Sequence, residues 1–354
     1  MRTTRWILPT WIALSACATD GTSKPNGNGE PEVVEAHVRE VRFESAAPDA
    51  FLHVGDLHVP EWRVGERLPA VVVAHGSGPH GRDGVVEGQL GMRFGFSIPV
   101  YREIAQGLQA AGFVVLTYDK RTCGRWSNCP TNDYELAKAM GSTVRIFSQD
   151  LAGGVRFLAE QPEVDPERIF VIGHSKGALY VPDVMQREAR VRAGVMLAGT
   201  HSDFDDILAY QVDFVERLLR DLGYGEETIE EQVGSLRLTV EALRELKAGT
   251  WGTDPIDGLS IDYWQALLDM GKEARAGAPA MDRPILALSG DKDTNVPPSE
   301  TEAWAREFEG TIHQAKILPC VTHAMNCIQG MEVGKNVSPA VIEALVDFFR
   351  SVEN

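Results

Sequence analysis

Two periodicities divide the chain. Short β-branched and apolar runs alternate with longer stretches in which apolar positions recur every three or four residues. The short runs predict strands at Val38–Ser45, Phe51–Val59, Ala70–Ala74, Val114–Asp119, Ile169–Gly173, Ala193–Ala198, Ile285–Ser289 and His313–Leu318. Helices are predicted over Val100–Ala111, Ser142–Gln161, Lys176–Glu188, Ser299–Glu309 and Ser338–Val352. This is the pattern of an α/β fold, a mostly parallel sheet covered by helices on both faces. No helical stretch separates the first two strands, so they are expected as an antiparallel hairpin at one edge.

Between Gly199 and Pro284 the rhythm changes. Phe204, Ile207, Leu208, Gln211, Val215, Leu218, Leu219 and Leu222 step at helical spacing, as do Ile229, Val233, Leu236, Val240 and Leu243, with charges on the other faces. Two long amphipathic helices are predicted. A third, shorter one around Tyr263, Trp264, Leu267, Leu268 and Met270 completes an all-helical insertion over residues 201–281. It reads as a cap on a core made of residues 36–200 and 282–354. Trp251, Tyr263, Trp264 and Met270 are candidate apolar lining beneath it, although packing within the cap is the commoner fate of such residues.

The N-terminus follows neither rhythm. Met-Arg-Thr-Thr-Arg precedes an apolar stretch from Trp6 to Ala13 and then Leu14-Ser15-Ala16-Cys17, the order of an export signal. Leu-Ser-Ala-Cys resembles the lipobox of bacterial lipoproteins. The resemblance implies that residues 1–17 are a signal, that Cys17 is lipidated, and that the protein is exported to the bacterial cell envelope, anchored by lipid alone on the periplasmic or outer surface. Residues 18–35, rich in Gly, Asn and Pro, fit a flexible tether.

Composition narrows the partners. The chain has 354 residues, 44% hydrophobic, with 51 acidic against 34 basic residues and a net charge of −17, which excludes a general affinity for nucleic acid. No apolar run approaches the roughly 18 residues of a membrane-spanning helix. Four cysteines follow Cys17, and in an oxidising compartment they are expected to pair. Of the three connectivities, Cys123 with Cys129 and Cys320 with Cys327 are preferred, because short loops lose least entropy on closure.

Candidate chemistry starts at Val171-Ile172-Gly173-His174-Ser175-Lys176-Gly177, which follows an apolar strand and precedes a helical pattern. That is the context of a nucleophile elbow, a turn so tight that the positions two before and two after Ser175 must be small. The same turn aims the backbone N–H of Lys176 at a reacting carbonyl oxygen. A serine hydroxyl needs a base and an acid to orient that base. Asp293 lies in the loop Gly290-Asp291-Lys292-Asp293-Thr294-Asn295-Val296-Pro297, and His323 in Pro319-Cys320-Val321-Thr322-His323-Ala324, both just after strands. Asp291 is the alternative acid, while His174 and His75 belong to turns near the site.

In this order of Ser, Asp and His the chain resembles the α/β-hydrolase family, from about residue 36 to 354. His75-Gly76-Ser77-Gly78-Pro79 looks like that family's oxyanion-hole turn, which implies that the N–H of Ser77, or of Gly76, joins that of Lys176. Gly76-Ser77-Gly78-Pro79-x-x-Arg82-Asp83-Gly84 with Tyr118-Asp119-Lys120-Arg121 narrows the resemblance to an esterase-like bacterial branch near the serine aminopeptidase group. That branch usually has glycine after Asp-Lys-Arg, where this chain has Thr122-Cys123. Arg82 and Asp83 are expected to pair and brace the oxyanion loop.

Asp291-Lys292-Asp293-Thr294-Asn295 with Glu302 imitates EF-hand spacing, but Val296 stands where that loop needs glycine, so no calcium site is expected. No metal or cofactor motif is present otherwise. The expected function is a serine hydrolase cleaving small to medium carboxylic esters through an acyl-enzyme. Two alternatives are an aminopeptidase or prolyl peptidase on the same triad, gripping an amine through acids such as Glu226, Glu227, Glu230 and Glu231, and a binding protein without turnover.

Overall fold

The computed structural model describes residues 31–89, 92–123 and 143–353. The proposed signal, Cys17 and most of the tether lie outside them. Eight strands form the central sheet: β1 (His37–Glu44), β2 (Leu52–Val59), β3 (Leu68–Ala74), β4 (Val114–Tyr118), β5 (Val164–His174), β6 (Val191–Leu197), β7 (Ile285–Gly290) and β8 (Gln314–Leu318). Their spatial order is β1-β2-β4-β3-β5-β6-β7-β8. β2 runs antiparallel to both β1 and β4, and every pair from β4 to β8 is parallel.

Among the described residues five helices flank the sheet: α1 (Val100–Ala110), α2 (Arg145–Ala159), α3 (Tyr180–Arg187), α7 (Pro298–Glu307) and α8 (Pro339–Ser351). Another three, α4 (Phe204–Asp221), α5 (Glu226–Ala248) and α6 (Ile261–Gly277), lie between β6 and β7. Because side chains alternate along a strand, β3 feeds two cores. Ala70, Val72 and Ala74 pack with Leu151 and Val155 of α2 and Val184 of α3. Val71 and Val73 pack with Ile104 and Leu108 of α1 and Leu345 and Phe349 of α8. Covered on both faces, β3, β4 and β7 are buried along their whole length, which is why they read as unbroken apolar runs.

The winding reverses at β3, which has β4 on one side and β5 on the other. A crevice opens beyond the carboxyl ends of strands at such a reversal, and the loops after β3 and β5 meet there. The helices between β6 and β7 extend from this side. Val212 and Val215 of α4 pack on Ile229 and Val233 of α5. α5 ends on Gly249 in the left-handed region (φ 72°), and α6 begins with the Ser260 side chain accepting the Tyr263 N–H at 3.1 Å. Glu300 of α7 accepts from the N–H groups of His201 and Ser202, both at 2.7 Å, and so fixes where the insertion leaves the sheet.

Several elements differ from expectation, among them the helix predicted from Lys176, which starts as a 3₁₀ turn and becomes α-helical only at Tyr180. α6 has 17 residues, because Lys272 to Ala276 are good helix formers that carry little of the apolar stripe. β5 starts at Val164, ahead of the Asp165-Pro166-Glu167-Arg168 break in the apolar pattern. A β-ribbon of Val85–Gln89 and Met92–Pro99, paired antiparallel, precedes α1. The glycines at 88, 91 and 95 disguise it, since glycine depresses strand propensity.

Candidate active site

Ser175 stands where β5 turns into a short 3₁₀ turn, Ser175–Leu179, that runs on into α3. Its φ of 55° is a left-handed conformation costing about 1–3 kcal/mol for a residue with a side chain. The two glycines of the elbow permit it. A Cβ on residue 173 would lie 2.1 Å from the Gly177 carbonyl oxygen, and one on residue 177 would lie 2.5 Å from that of His75. The turn thus closes only with both side chains missing.

The loop after β7 holds a rigid carboxylate. Asp293 is buried, its Oδ1 accepts the N–H groups of Asn295 (2.9 Å) and Val296 (2.8 Å), and its Oδ2 lies 2.8 Å from His323 Nδ1. An ionised carboxylate only accepts, so Nδ1 carries the proton and Nε2 is left with its lone pair. Asp291 is exposed and faces Lys292 at 3.7 Å, so of the two acids in this loop Asp293 is the partner of His323.

The His323 loop is held at its base. Cys320 and Cys327 form a disulfide with their Cα atoms 4.8 Å apart, and the Thr322 N–H donates to the Asn326 carbonyl at 2.8 Å. Cys123 is also disulfide-bonded. Its expected partner, Cys129, lies outside the described residues.

A second relay joins this loop to the oxyanion turn. His174 Nε2 faces the His323 carbonyl at 3.0 Å and must donate, so its Nδ1 accepts from the Tyr101 hydroxyl at 3.2 Å. The Tyr101 oxygen in turn accepts the Gly76 N–H at 3.1 Å. Burial, and after it the neighbouring His323, keeps the pKa of His174 well below the ordinary histidine value, so the ring is neutral as the relay requires. Gly76 is therefore engaged elsewhere. Of the two expected loop donors only Ser77 N–H is open.

Lys120 aims that donor. Its Nζ donates to the carbonyls of Gly76 (2.6 Å) and Gly78 (2.7 Å), while His80 Nε2 holds the Ser77 carbonyl at 2.5 Å. In a trans peptide the C=O and N–H point in opposite directions, so clamping the Gly76 carbonyl turns the Ser77 N–H away from Lys120. Lys120, Tyr101 and the His174 ring were not legible as site residues. Asp119-Lys120-Arg121 stood out only as a motif, with nothing in it to say what the lysine grips.

Arg82 and Asp83 do not pair with each other, contrary to expectation. Arg82 reaches Asp119 (2.8 Å) and Asp56 (2.6 Å), and Asp83 takes Arg102 (3.0 Å). Adjacent residues in a turn point apart, and sheet neighbours offer better geometry. The brace is real, but it ties the oxyanion loop to β2 and the end of β4.

Ser175 and His323 open onto one cavity of about 810 Å³, together with Ser77 and Lys176. Phe204, Ile207, Leu208, Leu236, Tyr263, Trp264 and Leu267 of the insertion form its opposite wall. Tyr263 and Trp264 thus line it. Trp251 instead bonds the Asp254 carbonyl at 3.0 Å, and Met270, two turns along α6, faces Leu179 and Pro182. The one carboxylate cluster among the described residues, Asp203, Asp205 and Asp206, lies at the start of α4, where Lys247 and Arg275 answer it.

The family described as serine aminopeptidase, S33, matches residues 93–326, more than half of the chain. Esterase EstD of Thermotoga maritima is 26% identical over 247 residues, 69% of this chain and 51% of that protein. The chain spans about half or less of the curated relatives it matches. Among solved structures, Est1E from Butyrivibrio proteoclasticus aligns with a TM-score of 0.51 at 14% identity, covering 88% of this chain and 98% of that one. Pyrococcus horikoshii acylaminoacyl peptidase gives 0.51 at 18%, covering 82% and 38%. With the strand order, the serine elbow and this match in agreement, the chain belongs to the serine aminopeptidase (S33) family of α/β-hydrolases, a family of serine hydrolases.

Proposed function

We propose that the protein is a serine esterase in which Ser175 attacks the carbonyl, His323 moves the proton, Asp293 orients His323, and the N–H groups of Ser77 and Lys176 receive the oxyanion. The reading rests on the Asp293–His323 bond at 2.8 Å, with His323 sharing one cavity wall with Ser175. A donor pair aimed at the oxyanion contributes about 3 kcal/mol per donor to lowering the barrier. The cavity volume suits acids and alcohols of small to medium size.

Charge favours esters over amino-terminal amides. Lys120 and Lys176 line the cavity, and the Lys176 ammonium would repel a substrate ammonium there. The acids that might have gripped an amine stand elsewhere: Glu226 pairs with Arg220, Glu230 with Arg237, and Glu227 and Glu231 are exposed. Expected is turnover of short p-nitrophenyl esters and fluorophosphonate labelling of Ser175, with amino-acyl anilides at least about tenfold slower in kcat/KM. Faster anilide cleavage would transfer the assignment to peptidase. A folded protein that neither labels nor turns over would transfer it to a binding role.

We also propose that the enzyme is tethered to the cell envelope through a lipidated Cys17. Cys17→Ala is expected to release it from the membrane fraction, and wild-type protein lacking acyl mass at residue 17 would overturn the anchor.

A further inference from the structure

Two lysines stand in the cavity wall, neither within ion-pair distance of a carboxylate among the described residues. Lys176 is 8% exposed and Lys120 3%. Lys120 is occupied by the two oxyanion-loop carbonyls. Lys176 is placed differently. Its Nζ reaches across to the Tyr263 hydroxyl on α6 and lies over the rings of Tyr263 (5.2 Å to the centroid) and Phe147 (5.8 Å).

Counting donors defines what is missing. The ammonium has three N–H donors, and the Tyr263 oxygen accepts one of them. Because that oxygen accepts from lysine, the Tyr263 O–H is itself a donor, with no acceptor among the described residues. Of the residues lining the cavity, the one carboxylate besides is Asp257, exposed at the rim. Burying an unpaired charge is costly, and in a cavity a ligand can supply the counter-charge. Burial, and next the like charge of Lys176, pushes the Lys120 pKa well below the ordinary lysine range, so Lys176, not Lys120, is the cation offered to a ligand.

We propose that Lys176 and Tyr263 form an anion-binding subsite beside the nucleophile, and that the substrate is an ester bearing a carboxylate. The proposal rests on the esterase reading above and deepens it. The side chain directly after Ser175 then sets specificity, while its backbone N–H serves the oxyanion.

The test compares matched esters on the full chain: monomethyl adipate against methyl hexanoate for a carboxylate on the acyl side, and 6-acetoxyhexanoate against hexyl acetate for one on the alcohol side. At least one pair is expected to favour the anion by about tenfold or more in kcat/KM, the size of a charge-assisted bond. The preference is expected to collapse in Lys176→Met, weaken in Tyr263→Phe and return in Lys176→Arg. Ratios within one variant cancel damage common to both substrates. Equal rates for both pairs, with turnover intact, overturn the anion subsite and leave the esterase reading standing. Should no ester be cleaved, calorimetric binding of the same pairs to the Ser175→Ala protein decides: preference for the carboxylate supports the subsite without the esterase, and equal or absent binding overturns it.

Discussion

Replacing Asp293 by asparagine is expected to lower kcat by about 10⁴-fold while the fold survives. The loop dictates this outcome. The N–H groups of Asn295 and Val296 both point at Oδ1, so an asparagine keeps its carbonyl oxygen there and turns its NH₂ toward His323. That NH₂ can only donate, which forces Nδ1 of His323 to accept and moves the ring proton to Nε2. The nitrogen meant to take a proton from Ser175 then already carries one. Ser175→Ala is expected to lose at least as much, because no nucleophile remains. Both are read from kcat with an unchanged melting temperature, and an Asp293→Asn protein near wild-type rate would refute the tautomer argument.

The second large effect falls on stability. Asp150 of α2 is buried and grips Arg121 with both oxygens, at 2.8 Å and 2.5 Å, while His53 Nε2 lies 3.1 Å from Oδ1. Arg121, 2% exposed, extends its other nitrogen to Asp49 at 2.7 Å. Asp150→Ala leaves that guanidinium buried with half its partners and is expected to cost about 3–5 kcal/mol in denaturant unfolding. Burial alone would push the Asp150 carboxyl up, but the His53 charge and the Arg121 bonds outweigh it and hold it well below the usual carboxylate range. Its folded pKa being depressed, its contribution is present above the unfolded value near 3.9 and is lost as pH falls below that. Wild-type stability is therefore expected to drop as pH falls below about 4. The Asp150→Asn protein, weaker at neutral pH, should show a shallower fall, and parallel curves would exclude this carboxylate as the cause.

Much of the fold was legible because its logic is local. The buried strands announce themselves as apolar runs, and Gly173 and Gly177 around Ser175 announce a turn that no other residues would close. Asp293 was preferred over Asp291 from the loop alone, and the backbone adds the reason, two N–H groups that hold its Oδ1 while Oδ2 meets His323. What the sequence hid is long-range. Lys120 grips carbonyls 44 and 42 positions away, and Tyr101 bridges Gly76 and His174 across two loops. Arg82 ignores its neighbour Asp83 for Asp119, 37 positions on. No periodicity encodes such partners, since they depend on which strand ends the sheet order brings together.

The Cys320–Cys327 bridge sets how His323 can move. The two ends of its loop stay 4.8 Å apart whatever opens between them, so an excursion of residues 321–326 breaks hydrogen bonds without lengthening the span the loop must re-close. Local openings of this kind are a normal part of native proteins, and the entropy of closure is what usually slows their return. Here that entropy has been removed in advance. A displaced imidazole searches a small bounded volume for Asp293 instead of the reach of a free loop, and it regains its bond to that carboxylate without the sheet beneath it having to take part.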